Sequence, residues 1–211
     1  MKLQIAGAVI ALAMFGASSA NAGIILTDNF DADALQLNWT GDSTFSPIPG
    51  APVQGVPSVD LIGGASFGEL CGGPSTNHCI DLDGSTGSGN NPTGEIQSAM
   101  TFAAGHYHLT FTLGGNARGA ADQTTVISLG DFTQSISLAS ADPQTLVTYD
   151  FVTTTTGTLN FKDIGPSNQQ GNILDNITLA SVPEPMTWAM LLVGFFGLGM
   201  VMRRRDAALT A

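Results

Sequence analysis

His106-Tyr-His-Leu-Thr-Phe-Thr-Leu113 alternates with a period of two: Tyr107, Leu109, Phe111 and Leu113 share one side of an extended chain, and His106, His108, Thr110 and Thr112 share the other. A half-buried β-strand shows this alternation, whereas an amphipathic helix repeats every 3.6 residues. Working outward, shorter runs of the same kind recur at 24–26, 59–62, 79–82, 96–102, 126–129, 132–138, 147–152, 158–161 and 173–179. Turn signals separate them, among them Asp83-Gly84, Asn91-Pro92, Gly114-Gly115-Asn116 and Gly165-Pro166. Residues 23–182 hold 21 Gly and 8 Pro and no sustained helical period, so helices are scarce. Short strands without a fixed repeat predict an all-β chain, an antiparallel β-sandwich of jelly-roll type rather than a propeller or solenoid.

Charge divides the chain differently from hydrophobicity. The 211 residues carry 17 acidic and 6 basic side chains, a net charge of −11. Four of the bases, Lys2, Arg203, Arg204 and Arg205, lie in the end segments, leaving Arg118 and Lys162 against 15 acids in 23–182, a net charge of −13. Nucleic acid is excluded as a partner, because phosphate neutralisation by Lys and Arg supplies most of that affinity.

The ends read as addresses. Residues 1–22 begin with Lys2, continue through an apolar run and close on Ala20-Asn21-Ala22, the pattern of a secretory signal peptide with its small-residue cleavage site. Residues 186–202 contain no ionisable side chain and are followed by Arg203-Arg204-Arg205. As a helix at 1.5 Å per residue they cover about 25 Å, enough for a short membrane span. The arginines hold their end in the cytoplasm, so 23–182 is expected across the inner membrane, single-pass anchored until processed. Pro183-Glu184-Pro185 before the span forms an extended hinge.

Those three parts in order, Pro183-Glu184-Pro185, a Gly-rich apolar helix with Trp188 and Gly194-Phe-Phe-Gly-Leu-Gly199, and Arg203 to Arg205 with the short tail 206–211 behind, resemble the PEP-CTERM sorting signal of Gram-negative bacteria. The resemblance implies an exosortase as partner, a membrane transpeptidase that cuts near the motif, and a final place at the cell surface or in an exopolysaccharide matrix. A second resemblance covers most of 24–180. Pro57-Ser-Val-Asp-Leu-Ile-Gly63, Cys79-Ile-Asp-Leu-Asp-Gly84, Gly94-Glu-Ile-Gln-Ser98, 105–116, Thr158-Leu-Asn-Phe161 and Gly171-Asn-Ile-Leu-Asp-Asn-Ile-Thr-Leu179 are similar to choice-of-anchor C domains. That family implies a galactose-binding-like jelly roll and names no activity.

No set of residues supports catalysis. Gly64-Ala-Ser66-Phe-Gly68 has the nucleophile-elbow spacing but is followed by Cys71-Gly-Gly-Pro74, which cannot form the required helix. His106 and His108 lack a third ligand and read as a solvated strand face, with His78 elsewhere. Cys71 and Cys79, the only cysteines, predict a disulfide in an exported chain. For calcium the oxygen-bearing candidates are Asp81, Asp83 and Asp175 beside Asn176, with Asp28, Asp31 and Asp33 clustered near the first strand. For a sugar ligand they are Trp39, which reads equally as a core anchor, and Arg118, which reads equally as the partner of a nearby acid. The expected function is a non-catalytic surface or matrix protein associated with exopolysaccharide, the alternative a calcium-dependent carbohydrate-binding module.

Overall fold

Eleven strands carry the alternation into structure: β1 (Gly23–Asp28), β2 (Phe45–Pro47), β3 (Asp60–Gly63), β4 (His78–Asp81), β5 (Glu95–Phe102), β6 (Gly105–Gly114), β7 (Gln123–Leu129), β8 (Phe132–Leu138), β9 (Thr145–Thr153), β10 (Gly157–Asp163) and β11 (Ile173–Val182). The computed structural model describes residues 23–48, 58–63, 70–74, 76–85, 93–119, 121–182 and 194–198. Residues 22–183 form a compact unit. Residues 1–22, expected to be a signal peptide, lie outside the described residues, as do Pro183, Glu184, Pro185, most of 186–202, Arg203 to Arg205 and Ser66. Residues 194–198 are helical, and among the described residues no helix is long and apolar enough to cross a membrane.

Ten strands coincide with expected ones; β2 was not expected. It is three residues long and ends on Pro47, too short to show a period, yet Phe45 at its start is fully buried.

All pairings are antiparallel. One sheet runs β3-β4-β11-β6-β9 with β1 also on β11, the other β2-β5-β10-β7-β8. β11 organises the first sheet. One edge pairs with β6 along most of its length, while its other edge is shared in series by β4, at Ile173 and Leu174, and by β1, from Ile177 to Ser181. A bulge with Asn176 at φ 54° marks the handover.

The inward residues of the two sheets form one core. Leu109, Phe111 and Leu113 of β6 meet Ile127 and Leu129 of β7 and Phe161 of β10, with the Phe111 and Phe161 rings edge to face at 5.0 Å. Burying each such side chain contributes roughly 1.5–3 kcal/mol. Phe132 and Phe151 stack at 3.8 Å between β8 and β9, joining the sheets on one side. The Cys71–Cys79 disulfide forms as expected and lies in a second, smaller cluster with Ile62 and Ile173.

Candidate functional site

The inward residues of the five-stranded sheet are mostly apolar, so the opposite parity faces out, and there most side chains are polar. One register row crosses all five strands: Ser46 pairs with Gln97, Gln97 with Asn160, Asn160 with Ser128, and Ser128 with Thr133. None of the five is buried. Asn160 Nδ2 donates to Ser128 Oγ at 3.4 Å, and Thr124 and Ser137 join hydroxyls at 2.7 Å four register pairs further along. The neighbouring row holds Lys162 and Glu95, an ion pair at 3.2 Å that cancels its own charge. The result is a neutral face of hydroxyls and amides on an otherwise acidic domain.

The other sheet also presents a polar row. Thr27, Thr178, Thr110 and Thr148 lie side by side across β1, β11, β6 and β9. Beside them His108 Nδ1 lies 2.7 Å from Asp150 Oδ1. His106 and His108 share this outer parity and are both half-buried.

The sequence-selected ligand residues are placed differently. Trp39 is buried, its ring edge to face with Phe30 at 5.9 Å, so it offers no face to a sugar. Trp39 is corrected to a core anchor because Phe30 and Trp39 fill the space beneath the segment between β1 and β2. Tyr107 is likewise buried and donates its hydroxyl to Ala103 O at 2.6 Å. Arg118 donates to the buried Asp81 carboxylate. Arg118 is thereby corrected from sugar ligand to the partner of an acid.

Asp81, Asp83 and Asp175 are buried but do not come together as one ligand set. Asp81 Oδ1 accepts the N–H groups of Asp83 and Gly171, at 3.0 and 2.8 Å. Asp83 Oδ2 accepts three consecutive N–H groups, from Asn168, Gln169 and Gln170. Asp175 sits apart, accepting from Asn77 Nδ2 and from the backbone and side chain of Asn176. Burial pushes the Asp175 carboxyl up to about 6, against those hydrogen bonds. The three carboxylates organise loops through backbone donors.

Another acidic group does converge. One carboxylate oxygen each from Asp28, Asp33 and Asp42 lie within 4.8 Å of one another, all half-buried. Asp42 Oδ1 accepts the Thr44 and Phe45 N–H groups, which fixes it at the entrance to β2. Asp28 Oδ1 accepts the Phe30 N–H, while its Oδ2 is buried with no donor. Burial first, then the neighbouring Asp42 and Asp33 charges, push the Asp28 carboxyl up to about 7, opposed by the Phe30 hydrogen bond. Hard oxygen donors collected against their own repulsion suit a calcium ion. The sequence grouped Asp31 with Asp28 and Asp33; the structure puts Asp42 in its place, and Asp31 accepts the His78 N–H instead. Asp42 gave no signal because it lies in a turn ahead of the unexpected β2.

No family model and no curated protein matches the chain. Among solved structures it is similar to the K1 cleaved adhesin domain of Lys-gingipain from Porphyromonas gingivalis W83, at 13% identity and TM-score 0.48, covering 74% of this chain and 97% of that one. It is also similar to the CBM22-1 xylan-binding domain of Xyn10C from Paenibacillus barcinonensis, at 10% identity and TM-score 0.46, covering 78% and 98%. The CBM22-1-GH10 modules of Clostridium thermocellum xylanase 10B, complexed with xylohexaose, match at 10% and 0.46 over 78% of this chain and 29% of theirs. Likeness at this level transfers no ligand, since one fold hosts many functions.

Proposed function

We propose that the chain is an exported, non-catalytic carbohydrate-binding protein of jelly-roll build, directed by its C-terminal PEP-CTERM signal through an exosortase to the cell surface or matrix. The observation that carries the binding reading is the neutral row Ser46-Gln97-Asn160-Ser128-Thr133 across the five-stranded sheet. Hydroxyls and amides at strand spacing offer alternating donors and acceptors to a polyol lying across them. Each hydrogen bond contributes only about 0.5–1.5 kcal/mol net, and without aromatic stacking a single chain segment binds weakly. Repetition along a polymer multiplies such contacts. Because 23–182 carries −13, a neutral glycan is favoured over an anionic one.

Affinity electrophoresis of the purified full-length chain through gels containing neutral xylan, neutral glucan or alginate tests this. Retardation by a neutral polymer, lost in Gln97→Ala/Asn160→Ala and kept in Thr110→Ala, is expected. Equal migration in every gel, or retardation untouched by the double variant, rejects the face as the site. For sorting, replacing Pro183, Glu184 and Pro185 with alanine leaves export intact and holds the protein at the inner membrane; unchanged fractionation counts against an exosortase.

The Asp28, Asp33 and Asp42 cluster favours a second reading, in which calcium assists binding. These three side chains would hold the ion, which supplies positive charge at the start of the sandwich and steadies the loop between β1 and β2. Loss of a calcium-induced rise in melting temperature in Asp33→Asn/Asp42→Asn is the expected result, and no rise in the parent protein at millimolar calcium would sink this reading.

A further inference from the structure

At one end of the sandwich, between the sheets, a group of buried polar side chains lacks donors. Asp163 ends β10 and pairs in register with Thr125 on β7; Gln123 is two residues along β7 on the same inward side. Asn172, just before β11, crosses from the opposite sheet, its Nδ2 donating to Thr125 Oγ1 at 2.9 Å and Gln123 O at 3.3 Å. Asp163, Gln123 and Asn172 are 0%, 2% and 1% exposed.

Their nitrogen atoms are accounted for and their oxygens are not. Gln123 Nε2 donates to Pro166 O and Asn168 Oδ1, at 2.9 and 3.2 Å, which fixes the amide orientation. Asp163 Oδ1 accepts the Gly165 N–H at 2.8 Å. Asp163 Oδ2, Gln123 Oε1 and Asn172 Oδ1 remain buried without a partner, and so does Gln170 Oε1 in the adjoining loop. Buried polar atoms are ordinarily paired, so this concentration calls for a donor or a cation.

Charge points the same way. Asp83, 3% exposed, is close enough to repel Asp163. Arg118, the one basic side chain paired with a buried acid among the described residues, is engaged by Asp81. Arg118 also acts on Asp83, which accepts three backbone N–H groups, whereas no ion pair among the described residues holds Asp163, an arrangement a low-dielectric interior penalises heavily. Carboxylate and amide oxygens are the donors calcium takes, and its flexible geometry tolerates a mixed set, whereas magnesium demands a near-ideal octahedron.

We propose that a calcium ion is enclosed between the two sheets by Asp163, Gln123 and Asn172, under the loop of residues 164–171. The site is separate from the half-buried Asp28, Asp33 and Asp42 group, and its enclosure makes the ion slow to leave. Its role is structural: it neutralises Asp163 and ties β7, β10 and the chain entering β11 together.

The full-length chain, purified and dialysed against calcium-free buffer without chelator, is assayed for metal by mass spectrometry. About one calcium per chain is expected to survive, lost in Asp163→Asn and kept in Asp33→Asn/Asp42→Asn. Asn172→Asp, which adds a carboxylate, is expected to melt higher than the parent in calcium and lower than it in EDTA. Should Asp163→Asn fail to fold, Asn172→Asp decides alone. A metal-free parent that melts identically in calcium and EDTA after refolding in either would overturn the proposal and leave enclosed water as the donor. Calcium kept by Asp163→Asn but lost from Asp33→Asn/Asp42→Asn would overturn it too, assigning the ion to the other group.

Discussion

Arg118 shows how little a lone charge reveals before its partner is known. It lies 37 positions from Asp81, and only the folded sheet brings the guanidinium onto that carboxylate. The sequence offers 15 acids between 23 and 182 and no means of choosing among them. Arg118→Ala leaves Asp81 buried with two backbone N–H groups and no positive charge; a loss of about 3–5 kcal/mol in urea unfolding is expected. Arg118→Lys should recover only part of it, because an ammonium cannot reproduce the planar fork. The disulfide was legible, since two cysteines eight positions apart have one pairing. Replacing Cys71 and Cys79 together with alanine should cost about 2–3 kcal/mol by the same measurement.

The hairpin joining β7 and β8 turns on Gly130 and Asp131, with Leu129 opposite Phe132. Gly130 has φ 59°, and a Cβ there would stand 2.4 Å from Thr155 O. Both the left-handed backbone and the contact oppose any side chain. Gly130→Ala is expected to lower stability by about 1–3 kcal/mol, read from the urea midpoint. Strands of seven to ten residues such as β6, β7 and β8 were readable because two-residue alternation persists long enough to exclude a helix. β2 was not, because three residues carry no period. The same limit hid part of the candidate sites. Gln123 and Asn172 become notable only when a strand direction and a register turn them inward, and an amide in sequence looks like any surface amide.

Across the whole domain, buried carboxylates govern how stability follows pH. Burial holds Asp28, Asp81 and Asp163 near 7 and Asp175 near 6 in the folded chain, against 3.8 ordinarily. Between about pH 4 and 7 the folded state therefore binds more protons than the unfolded one, and stability falls as pH rises through that window. In EDTA the melting temperature should decline from pH 4.5 to 7.5. Millimolar calcium should remove most of the decline by replacing protons at Asp28 and Asp163. A profile that instead rises toward neutrality would show that these groups ionise freely in the fold. The position of β11 adds a mechanical consequence. Its last residue leads directly into residue 183, so tension applied there is delivered to a strand held on both edges, by β6 and by β1. Ladder bonds run perpendicular to the strand, and a pull along its axis loads them together in shear rather than peeling them one after another. A chain terminus attached this way resists extraction, which would suit the surface attachment proposed above.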